Sequence, residues 1–350
     1  MMKTHELAII GYGGMGSYHC TLLEGVESIH VKGVFDIDPA RQEEATRNGL
    51  YSYPTFDELL NDTEVDMVII AVPNDSHKDI AIKALNSGKN VICEKPVTLN
   101  SKELEEILEV ADKTGKIFTV HQNRRWDEDY LSMKKIYDEK ILGDIYHIET
   151  RVMGCRGIPG DWRRQKEHGG GMLLDWGVHL LDRLLLMTNE KIIDGYCHFS
   201  YIHGSEVDDG FRINLNFESG KTALVEVQTN NYIILPHWYM AGTDGTAVIE
   251  DWKMTGHITK PDTGISKDAK PIVAGFGLTK TMAPIDAGAL TFLPLPRIDV
   301  DGKDFYRNVV NTIDGKEELI VKHEQSLRLM RLLDALFASQ NSNGYFSFNE

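Results

Sequence analysis

The first 120 residues alternate short apolar runs with helix-like segments, and this alternation limits the possible fold more than any other feature of the chain. The apolar runs are ELAIIG, VKGVFD, VDMVIIAVP, NVICE and IFTVHQ, and the helix-like segments between them are 15–24, 39–48, 55–61, 76–87 and 101–114. The last segment opens with Ser101 as its cap residue and carries apolar side chains at helical spacing. Alternation of this kind predicts a parallel sheet whose strands are joined by crossover helices.

The pattern changes after residue 122, where IYHIETRVM, IDGYCHFSYI, FRINLNF, TALVEVQTN and TAVIE indicate strands with few helices between them. In FRINLNF, apolar and polar side chains alternate, which is typical of an antiparallel sheet with one face on a core. Residues 253–300 are interpreted as a long excursion, and 323–339 predict a closing helix. The predicted fold class is therefore α/β, divided into 1–122 and an α+β domain, 123–350, with a large, mostly antiparallel open sheet.

The charge and cysteine content exclude several classes of protein. With 37 Lys and Arg against 53 Asp and Glu, the formal net charge of -16 would repel a nucleic acid, and no basic patch offsets it. The 4 cysteines are far apart and form no CxxC pair, which favours a reducing cytoplasm over a disulfide framework or a zinc site. The amino-terminal segment does not resemble a signal peptide, and no apolar stretch approaches the roughly 20 residues that span a bilayer. We expect a cytoplasmic protein without nucleic-acid or membrane partners.

A glycine motif lies between the first strand and the first helix. In IIGYGGMGSYH, Gly11 allows a tight turn, Gly13 lets the backbone approach a pyrophosphate, and Gly16 permits close helix packing. Gly14 and Met15 lie within the same turn and belong to the same predicted site. The helix amino terminus attracts phosphate charge. The motif predicts that residues 1–122 are a Rossmann dinucleotide-binding domain, with a Gly-rich turn without a ligand as the alternative.

Asp36 supports this interpretation and bears on the choice of cofactor. It ends the second strand, 20 residues beyond Gly16, where a carboxylate can accept hydrogen bonds from the adenosine ribose hydroxyls. The same carboxylate would repel a 2′-phosphate, so NAD is predicted over NADP. Arg41 could reach such a phosphate, but a solvated helix residue is the favoured interpretation of Arg41.

The strand run NVIC stops at Glu94, Lys95 and Pro96. In a parallel sheet the carboxyl ends of the strands form the ligand crevice, so both charges would project beside the cofactor. Lys95 can donate to a reacting oxygen and stabilise it as an alkoxide forms. Pro96 fixes φ and could take the cis form. The alternative is a Glu94–Lys95 surface pair at a strand end.

GGGMLLDWGVHLLDRLLLM supplies the second half of the predicted site. On a helix, Asp175 and His179 are four apart and share a face among leucines. His179 suits the role of a base that takes a hydroxyl proton, and Asp175 can orient substrate hydroxyls or hold the imidazole. The alternative for His179 is a hydrogen-bonded core histidine. Asp182 is interpreted as a structural anchor, and no histidine pattern suggests a metal site.

The order of these motifs resembles the family of glucose-fructose oxidoreductase, inositol dehydrogenase and MocA. The glycine fingerprint, AVPNDSH, CEKPVT and GGGMLLDWGVHLLD carry the resemblance, and HQNRRWD is similar to the scyllo-inositol dehydrogenase-like branch of sugar oxidoreductases. The resemblance implies that Lys95 contacts substrate and that the cofactor is contacted by further residues: Glu94, Val72, Pro73, Asn74, His77, Gln122, Trp162 and Arg163. For Trp162 the alternative is core packing, and for Arg124 and Arg125 it is ion pairing with Asp127 or Glu128.

The function that we predict is an NAD-dependent dehydrogenase that acts on a secondary hydroxyl of a cyclic polyol or sugar. Lys95, Asp175 and His179 are its predicted catalytic residues. The alternatives are an NADP-linked keto-sugar reductase and a non-catalytic dinucleotide-binding redox sensor. The resemblance also implies a homodimer or homotetramer formed through the open sheet.

Overall fold

The computed structural model describes residues 4–262, 269–285 and 287–348, which build two large sheets. The first sheet has six parallel strands in the order β3-β2-β1-β4-β5-β6. Its strands are β1 (His5–Ile10), β2 (Ile29–Phe35), β3 (Tyr51–Ser52), β4 (Met67–Ile70), β5 (Asn90–Cys93) and β6 (Phe118–Val120). The helices of this part are α1 (Gly14–Leu23), α2 (Pro39–Arg47), α3 (Phe56–Asn61), α4 (His77–Asn86) and α5 (Ser101–Thr114). The predicted parallel sheet with helical crossovers is confirmed.

The central strands of this sheet are apolar because helices cover both of its faces. Every residue of β4 and β5 is buried, which explains why their sequences read as continuous apolar runs rather than as an alternation. Strand β1 lies between β2 and β4, so the chain order reverses beside it. In sheets of this type the carboxyl ends of the strands at such a reversal open a ligand crevice.

The amino terminus of α5 differs by one residue from the prediction. The cap residue is Asn100, whose side-chain oxygen accepts the backbone N–H of Glu103 at 3.0 Å, and Ser101 is the first helical residue. The Glu103 carboxylate in turn accepts the backbone N–H of Leu99 at 3.1 Å. The Asn100 side chain thus satisfies one of the free N–H groups at the start of the helix, and Glu103 satisfies the N–H group of the residue before the cap.

The second sheet is large and mostly antiparallel, as predicted. The strands that follow the first sheet in the chain are β7 (Ile145–Met153), β8 (Ile192–Ser200), β9 (Gly210–Phe217), β10 (Thr222–Gln228), β11 (Trp238–Gly242), β12 (Gly245–Ile249), β13 (Gly256–Pro261), β14 (Ile272–Ala274), β15 (Gly277–Thr279), β16 (Leu290–Leu293) and β17 (Tyr345–Ser347). The sheet has nine strands in the order β16-β13-β12-β11-β7-β10-β9-β8-β17, and only β7 and β10 pair in parallel. Strands β14 and β15 form a separate hairpin. The region 253–300 is therefore not only an excursion, because β13 and β16 extend the sheet.

Helices lie against one face of this sheet. They are α6 (Glu128–Asp138), α7 (Val178–Thr188) and α9 (His323–Ala338), and a π-helical turn, Leu173–Gly177, leads into α7. Helix α8 (Asp304–Ile313) lies against the first half of the chain, where the Tyr306 hydroxyl contacts His19. The alternation in β9 is confirmed, since Phe211, Ile213 and Leu215 are buried and the polar residues between them are exposed. In the described part of the chain, no helix is long and apolar enough to cross a bilayer.

The carboxyl-terminal helices also touch the first sheet and its helices. His323 Nε2 lies 2.8 Å from the carbonyl oxygen of Phe118, and Asp314 Oδ1 lies 3.1 Å from His5 Nε2. Asp334 accepts the backbone N–H of Ser101 at 3.0 Å. The division of the chain at residues 122 and 123 stays a prediction, because the segment after residue 300 packs on both halves.

Candidate active site

Lys95 and Asp175 meet at the mouth of the crevice. Lys95 follows β5, and its Nζ lies 3.2 Å from Asp175 Oδ1 and 3.0 Å from the Asp175 carbonyl oxygen. Both side chains keep about a fifth of their surface exposed, so they can reach a ligand. The peptide bond between Lys95 and Pro96 is cis. The structure thus brings together two predicted catalytic residues from opposite halves of the chain.

His179 lies in the first turn of α7 and is buried. Its ring centroid is 6.1 Å from that of Trp176, and its Nδ1 has no hydrogen-bond partner among the described residues. Burial, together with the positive charges of Lys95, Arg124 and Arg183, holds the pKa of His179 well below its usual value. The imidazole is therefore neutral at neutral pH and able to accept a proton.

The relation between Asp175 and His179 differs from a regular helical pair. Asp175 lies in the π-helical turn that leads into α7. Its carboxylate bonds Lys95, and the described contacts include no hydrogen bond from it to His179. The structure therefore does not show Asp175 holding the imidazole. The other predicted role of Asp175, the orientation of substrate hydroxyls, agrees with its position beside Lys95.

The glycine turn has the shape that a dinucleotide requires. Gly11 has φ +92°, and a Cβ added there would lie 2.5 Å from the carbonyl oxygen of Ala71. A Cβ on Gly16 would lie 1.8 Å from the carbonyl oxygen of Gly11, which shows how closely the helix packs. A Cβ on Gly13 or Gly14 would meet nothing within 4 Å, so this side of the turn is open. Because no described side chain caps α1, its first N–H groups are available to a phosphate.

Asp36 lies across the turn at the end of β2. Its carboxylate accepts the backbone N–H of Tyr12 at 2.6 Å and that of Asp38 at 2.8 Å. These bonds fix the carboxylate beside the position that the ribose of a bound dinucleotide takes in this fold. Arg41 forms an ion pair with Glu44 at 2.7 Å, as its interpretation as a solvated helix residue predicted.

The remaining predicted cofactor residues after β4 form a packed corner. Val72 and Pro73 are partly exposed, and buried Asn74 donates to the carbonyl oxygen of Gly169 at 2.9 Å. The ring nitrogens of His77 lie 3.0 Å from the Val72 carbonyl oxygen and 2.9 Å from that of Pro96. His77 thus ties the end of β4 to the segment that carries Lys95, and a direct contact with the cofactor stays a prediction.

Gln122, Trp162 and Arg163 approach the crevice from the other side. Gln122 is buried, and its Oε1 has no partner among the described residues, so it can accept a hydrogen bond from a ligand amide. The Arg163 guanidinium lies 4.5 Å from the Trp162 ring centroid and 3.8 Å from Asp175 Oδ1. In this structure the Trp162–Arg163 pair lies beside the Asp175 end of the site. The glycine turn, Asp36 and the free oxygen of Gln122 together fit a nicotinamide dinucleotide.

An aromatic wall that the sequence did not reveal borders the site. Trp176 and Trp252 lie with ring centroids 6.0 Å apart, and the Arg124 guanidinium lies 4.4 Å from the first ring and 5.4 Å from the second. Arg124 also pairs with Asp127 at 3.0 Å, as its alternative interpretation predicted. A cavity of about 650 Å³ extends between this wall and Asp175. Trp252 lies in the turn after β12, where no periodic pattern marks it.

Glu94 faces the interior of the protein. Its Oε1 lies 2.7 Å from His121 Nδ1 and 3.0 Å from His19 Nε2. The hydroxyl of Tyr306, on α8, lies 2.7 Å from His19 Nδ1 and 3.3 Å from His121 Nε2. Two histidines and a carboxylate could hold a metal ion, but these separations are those of hydrogen bonds. The absence of a metal site stays a prediction, as does a contact between Glu94 and the cofactor.

Two buried carboxyl groups support the segment that carries Asp175 and His179. Asp182 forms a bidentate pair with Arg125, at 2.6 and 2.8 Å, as its interpretation as an anchor predicted. Asp208 accepts the backbone N–H of Leu173 at 2.9 Å, at the start of the π-helical turn. Burial raises the pKa of Asp208 to about 7.

Comparisons with known proteins agree with this geometry. Residues 5–122 match the model of an oxidoreductase family with an NAD-binding Rossmann fold, and residues 130–248 match the Gfo/Idh/MocA C-terminal domain. A solved structure of an NAD-binding protein from Listeria innocua is 47% identical, with a TM-score of 0.95 over 99% of this chain and 100% of that chain. The scyllo-inositol 2-dehydrogenase (NADP(+)) IolW of Bacillus subtilis is 25% identical over 97% of this chain and 94% of its own. The uncharacterized oxidoreductase YdgJ of Escherichia coli is 30% identical over 67% of this chain and 69% of its own.

The two matched models together cover both halves of the crevice, from the glycine turn to the strands behind Asp175. The predicted family and fold are therefore confirmed, and so is a nicotinamide cofactor. The chain belongs to the Gfo/Idh/MocA family of oxidoreductases, enzymes that pair an NAD(P)-binding Rossmann fold with a second domain built on a large, mostly antiparallel sheet.

Proposed function

We propose that the protein is an NAD-dependent dehydrogenase that transfers hydride between a secondary hydroxyl of a cyclic polyol or sugar and the nicotinamide. The observation that carries the proposal is the meeting of Lys95 and Asp175, with His179 nearby, at the strand ends beside the glycine turn. A protein that only bound the dinucleotide would have no need for a base and a cation at that place.

Each of the three side chains has a separate task. The bound nicotinamide supplies a hydride acceptor. The neutral imidazole of His179 accepts the hydroxyl proton, and its lack of a described partner at Nδ1 leaves it free to turn toward a substrate. The Lys95 ammonium stabilises the negative charge that develops on the reacting oxygen. Asp175 holds the ammonium in place and accepts hydrogen bonds from neighbouring hydroxyls.

The cavity beyond Asp175 suits a ring-shaped substrate. The C–H face of a polyol or sugar ring packs well on an aromatic surface, and Trp176 and Trp252 offer one within the same cavity of about 650 Å³. That volume exceeds what one hexose ring needs, so glycosides belong in the substrate panel. The similarity to scyllo-inositol 2-dehydrogenase over nearly the whole chain supports a cyclic polyol as a starting point.

The choice of NAD rests on Asp36. Its carboxylate is fixed by two backbone N–H groups, so it cannot readily turn away from a 2′-phosphate. The second candidate, an NADP-linked keto-sugar reductase, is favoured by the name of the Bacillus relative, which specifies NADP(+). The two candidates differ in cofactor and in direction, so one assay separates them.

The test is a panel of inositols, aldoses, glycosides and sugar acids, followed by the absorbance of the reduced nicotinamide, with NAD and NADP in parallel. We expect turnover of at least one cyclic polyol or sugar with NAD and none with Lys95→Ala. Faster turnover with NADP would favour the second candidate. If the protein bound NAD but the wild type and Lys95→Ala were equally inactive on the whole panel, the assignment of a polyol or sugar substrate would be wrong.

We also propose that the protein forms a homodimer or homotetramer through the open face of the second sheet. On that face, Glu226 is only 3% exposed because Arg151 and Arg212 cover it with hydrogen bonds. An ordered layer of charged side chains on a sheet face is compatible with an interface between two copies of the chain. A monomeric mass by light scattering at micromolar concentration would contradict this proposal.

A further inference from the structure

Four buried side chains close a ring of hydrogen bonds behind Lys95. His19 comes from α1, Glu94 from the end of β5, His121 from the end of β6 and Tyr306 from α8. Around the ring, the contacts run from Glu94 to His121, to Tyr306, to His19 and back to Glu94. All four residues are at most 5% exposed, so water cannot replace a missing bond.

The ring needs one proton more than two neutral imidazoles, a phenol and an ionised carboxylate provide. Four contacts need four hydrogens, whereas two neutral imidazoles and one phenol carry three, and an ionised carboxylate carries none. With three hydrogens, one buried nitrogen faces an oxygen that cannot donate to it, and an unsatisfied buried polar group destabilises the fold. With a fourth, every contact joins a donor and an acceptor, and the positive imidazolium balances the negative carboxylate.

The surroundings indicate where the fourth proton resides. Burial lowers the pKa of His19, and its hydrogen bond with Glu94 opposes this only in part. The neutral His19 then donates from Nε2 to Glu94 and accepts the Tyr306 hydroxyl at Nδ1. This leaves His121 to donate from both nitrogens, to Glu94 and to the Tyr306 oxygen. Burial alone would raise the pKa of Glu94, but His121 and His19 hold it well below its usual value.

The ring is attached directly to the predicted catalytic residue. Glu94 Oε2, the oxygen that is not used by the histidines, accepts the backbone N–H of Lys95 at 3.1 Å. The carboxylate therefore links the four-residue ring to the strand end that presents the Lys95 ammonium. His19 lies on the same helix as the open amino terminus that would receive the pyrophosphate.

We propose that His19, Glu94, His121 and Tyr306 are positioning residues: the ring stores one proton, fixes the backbone at Lys95 and keeps the charge of Glu94 balanced. The sequence pattern marks only Glu94, because the other three come from separate elements. The ring is a finding about geometry and does not depend on the proposed reaction, whereas its effect on turnover does.

Other ionisable groups lie near the ring and near His179, and their charges must be considered when a variant is interpreted. Tyr18 and Cys20 lie near Tyr306, and Cys93 lies next to Glu94. Lys95, Arg124 and Arg183 lower the pKa of His179, and Glu94 raises it. The charges that act on His179 are thus mostly positive and lower its pKa. An unbalanced negative charge on Glu94 would raise the pKa of His179.

The first test uses NMR of the free protein to detect the additional proton of the four-residue ring, so it needs no substrate. In ¹⁵N spectra at pH 7 we expect one histidine of the ring, assigned by His121→Gln, with protons on both nitrogens. Tyr306→Phe removes one hydroxyl and should convert this histidine to a neutral form. The matched control is Tyr130→Phe, because Tyr130 is equally buried and its hydroxyl has no partner among the described residues. A neutral His121 in the wild type, or a metal ion found by elemental analysis of the purified protein, would overturn the proposal.

The second test follows the pH profile and rests on the proposed function. Loss of the ring proton in Tyr306→Phe leaves Glu94 unbalanced, so the acid limb of kcat/KM should move up by roughly one pH unit. Glu94→Gln removes the charge itself, so its acid limb should not move up. A purely structural ring would lower Tm in both variants without a difference between their pH profiles. Equal shifts in the two variants would refute the electrostatic role, while the NMR result would still stand by itself.

Discussion

The Lys95 ammonium lies 3.2 Å from the Asp175 carboxylate, although 80 residues separate the two in the chain. One side chain follows a parallel strand of the first sheet, and the other lies in a π-helical turn behind the second sheet. The pair therefore joins the predicted cofactor half of the site to the predicted substrate half. Because both groups remain partly exposed, a substrate oxygen can enter between them without breaking the fold.

We expect Lys95→Ala to lower kcat by about 10²–10³-fold, because it removes a preorganised positive charge where negative charge develops. Asp175→Asn should have a milder effect, since the amide oxygen can still accept from Lys95. Steady-state kinetics and the Kd for NAD measure the effects of both substitutions. Lys78→Ala, which removes a lysine that pairs with Glu106 outside the site, is the control. A Lys95→Ala enzyme with wild-type kcat would contradict the assignment.

His179→Ala should lower kcat by about 10²–10⁴-fold and leave the Kd for NAD almost unchanged. Since the folded protein lowers the pKa of His179, the neutral base persists below pH 6.5. The acid limb of the wild-type kcat/KM profile should thus lie below that pH and disappear in the variant. His30→Ala, at an exposed histidine, is the control. An unchanged profile would mean that the proton leaves by another route.

Asp36→Ala should weaken NAD binding and relax discrimination against NADP. The carboxylate would no longer bond the ribose or repel a 2′-phosphate. Asp38→Ser is a matched control on the same loop, because Asp38 caps α2 and serine can also cap. Titrations of both cofactors measure the ratio of their Kd values. Tighter binding of NADP by the wild type would show that Asp36 does not set the preference.

Asp182→Ala should destabilise the protein by about 3–5 kcal/mol, because it leaves the charge of the buried Arg125 guanidinium without a carboxylate partner. The double variant Arg125→Met and Asp182→Leu should recover part of this loss. Arg297→Ala, which breaks an exposed pair with Glu128, should cost less than about 1 kcal/mol. Urea unfolding measures all three. Equal losses at the buried and the exposed pair would contradict the anchoring role of Asp182.

Asp208 should make the stability depend on pH. Its pKa rises from 3.8 to about 7 on folding, so its favourable contribution is complete below the unfolded value and is lost as pH rises through about 7. Asp208→Asn cannot ionise, and it should be more stable than the wild type at pH 8 by up to about 4 kcal/mol, with little difference at pH 4. Denaturant unfolding at both pH values tests this, with the exposed Asp144→Asn as control.

Local patterns in the sequence were enough to predict the first sheet and half of the site. The glycine turn, Asp36 and Lys95 directly follow β1, β2 and β5, so the apolar runs of these strands locate them. The predicted bounds of the five helices agree with the structure to within one or two residues. Backbone sterics at Gly11 and Gly16 and the burial of whole strands are local constraints, and they are visible without knowledge of distant contacts.

The other features depend on which distant segments meet. Trp252 contacts Trp176 and Arg124 only because the chain after β10 returns past the active site, and no periodicity around residue 252 indicates this. The Asp175 carboxylate bonds Lys95 and not His179, and a helical spacing of four could not show which of these two partners it would meet.

Glu94 shows most clearly what the sequence alone determines and what depends on the tertiary structure. The sequence determined that a carboxylate would follow β5, but it could not determine whether that carboxylate faces the cofactor or the interior. His19, His121 and Tyr306 decided it, and they come from three elements separated by up to 287 residues. The physical reason is that a buried charge is stable only where partners satisfy it, and those partners are assembled by the packing of α1, β6 and α8 rather than by any neighbour in the chain.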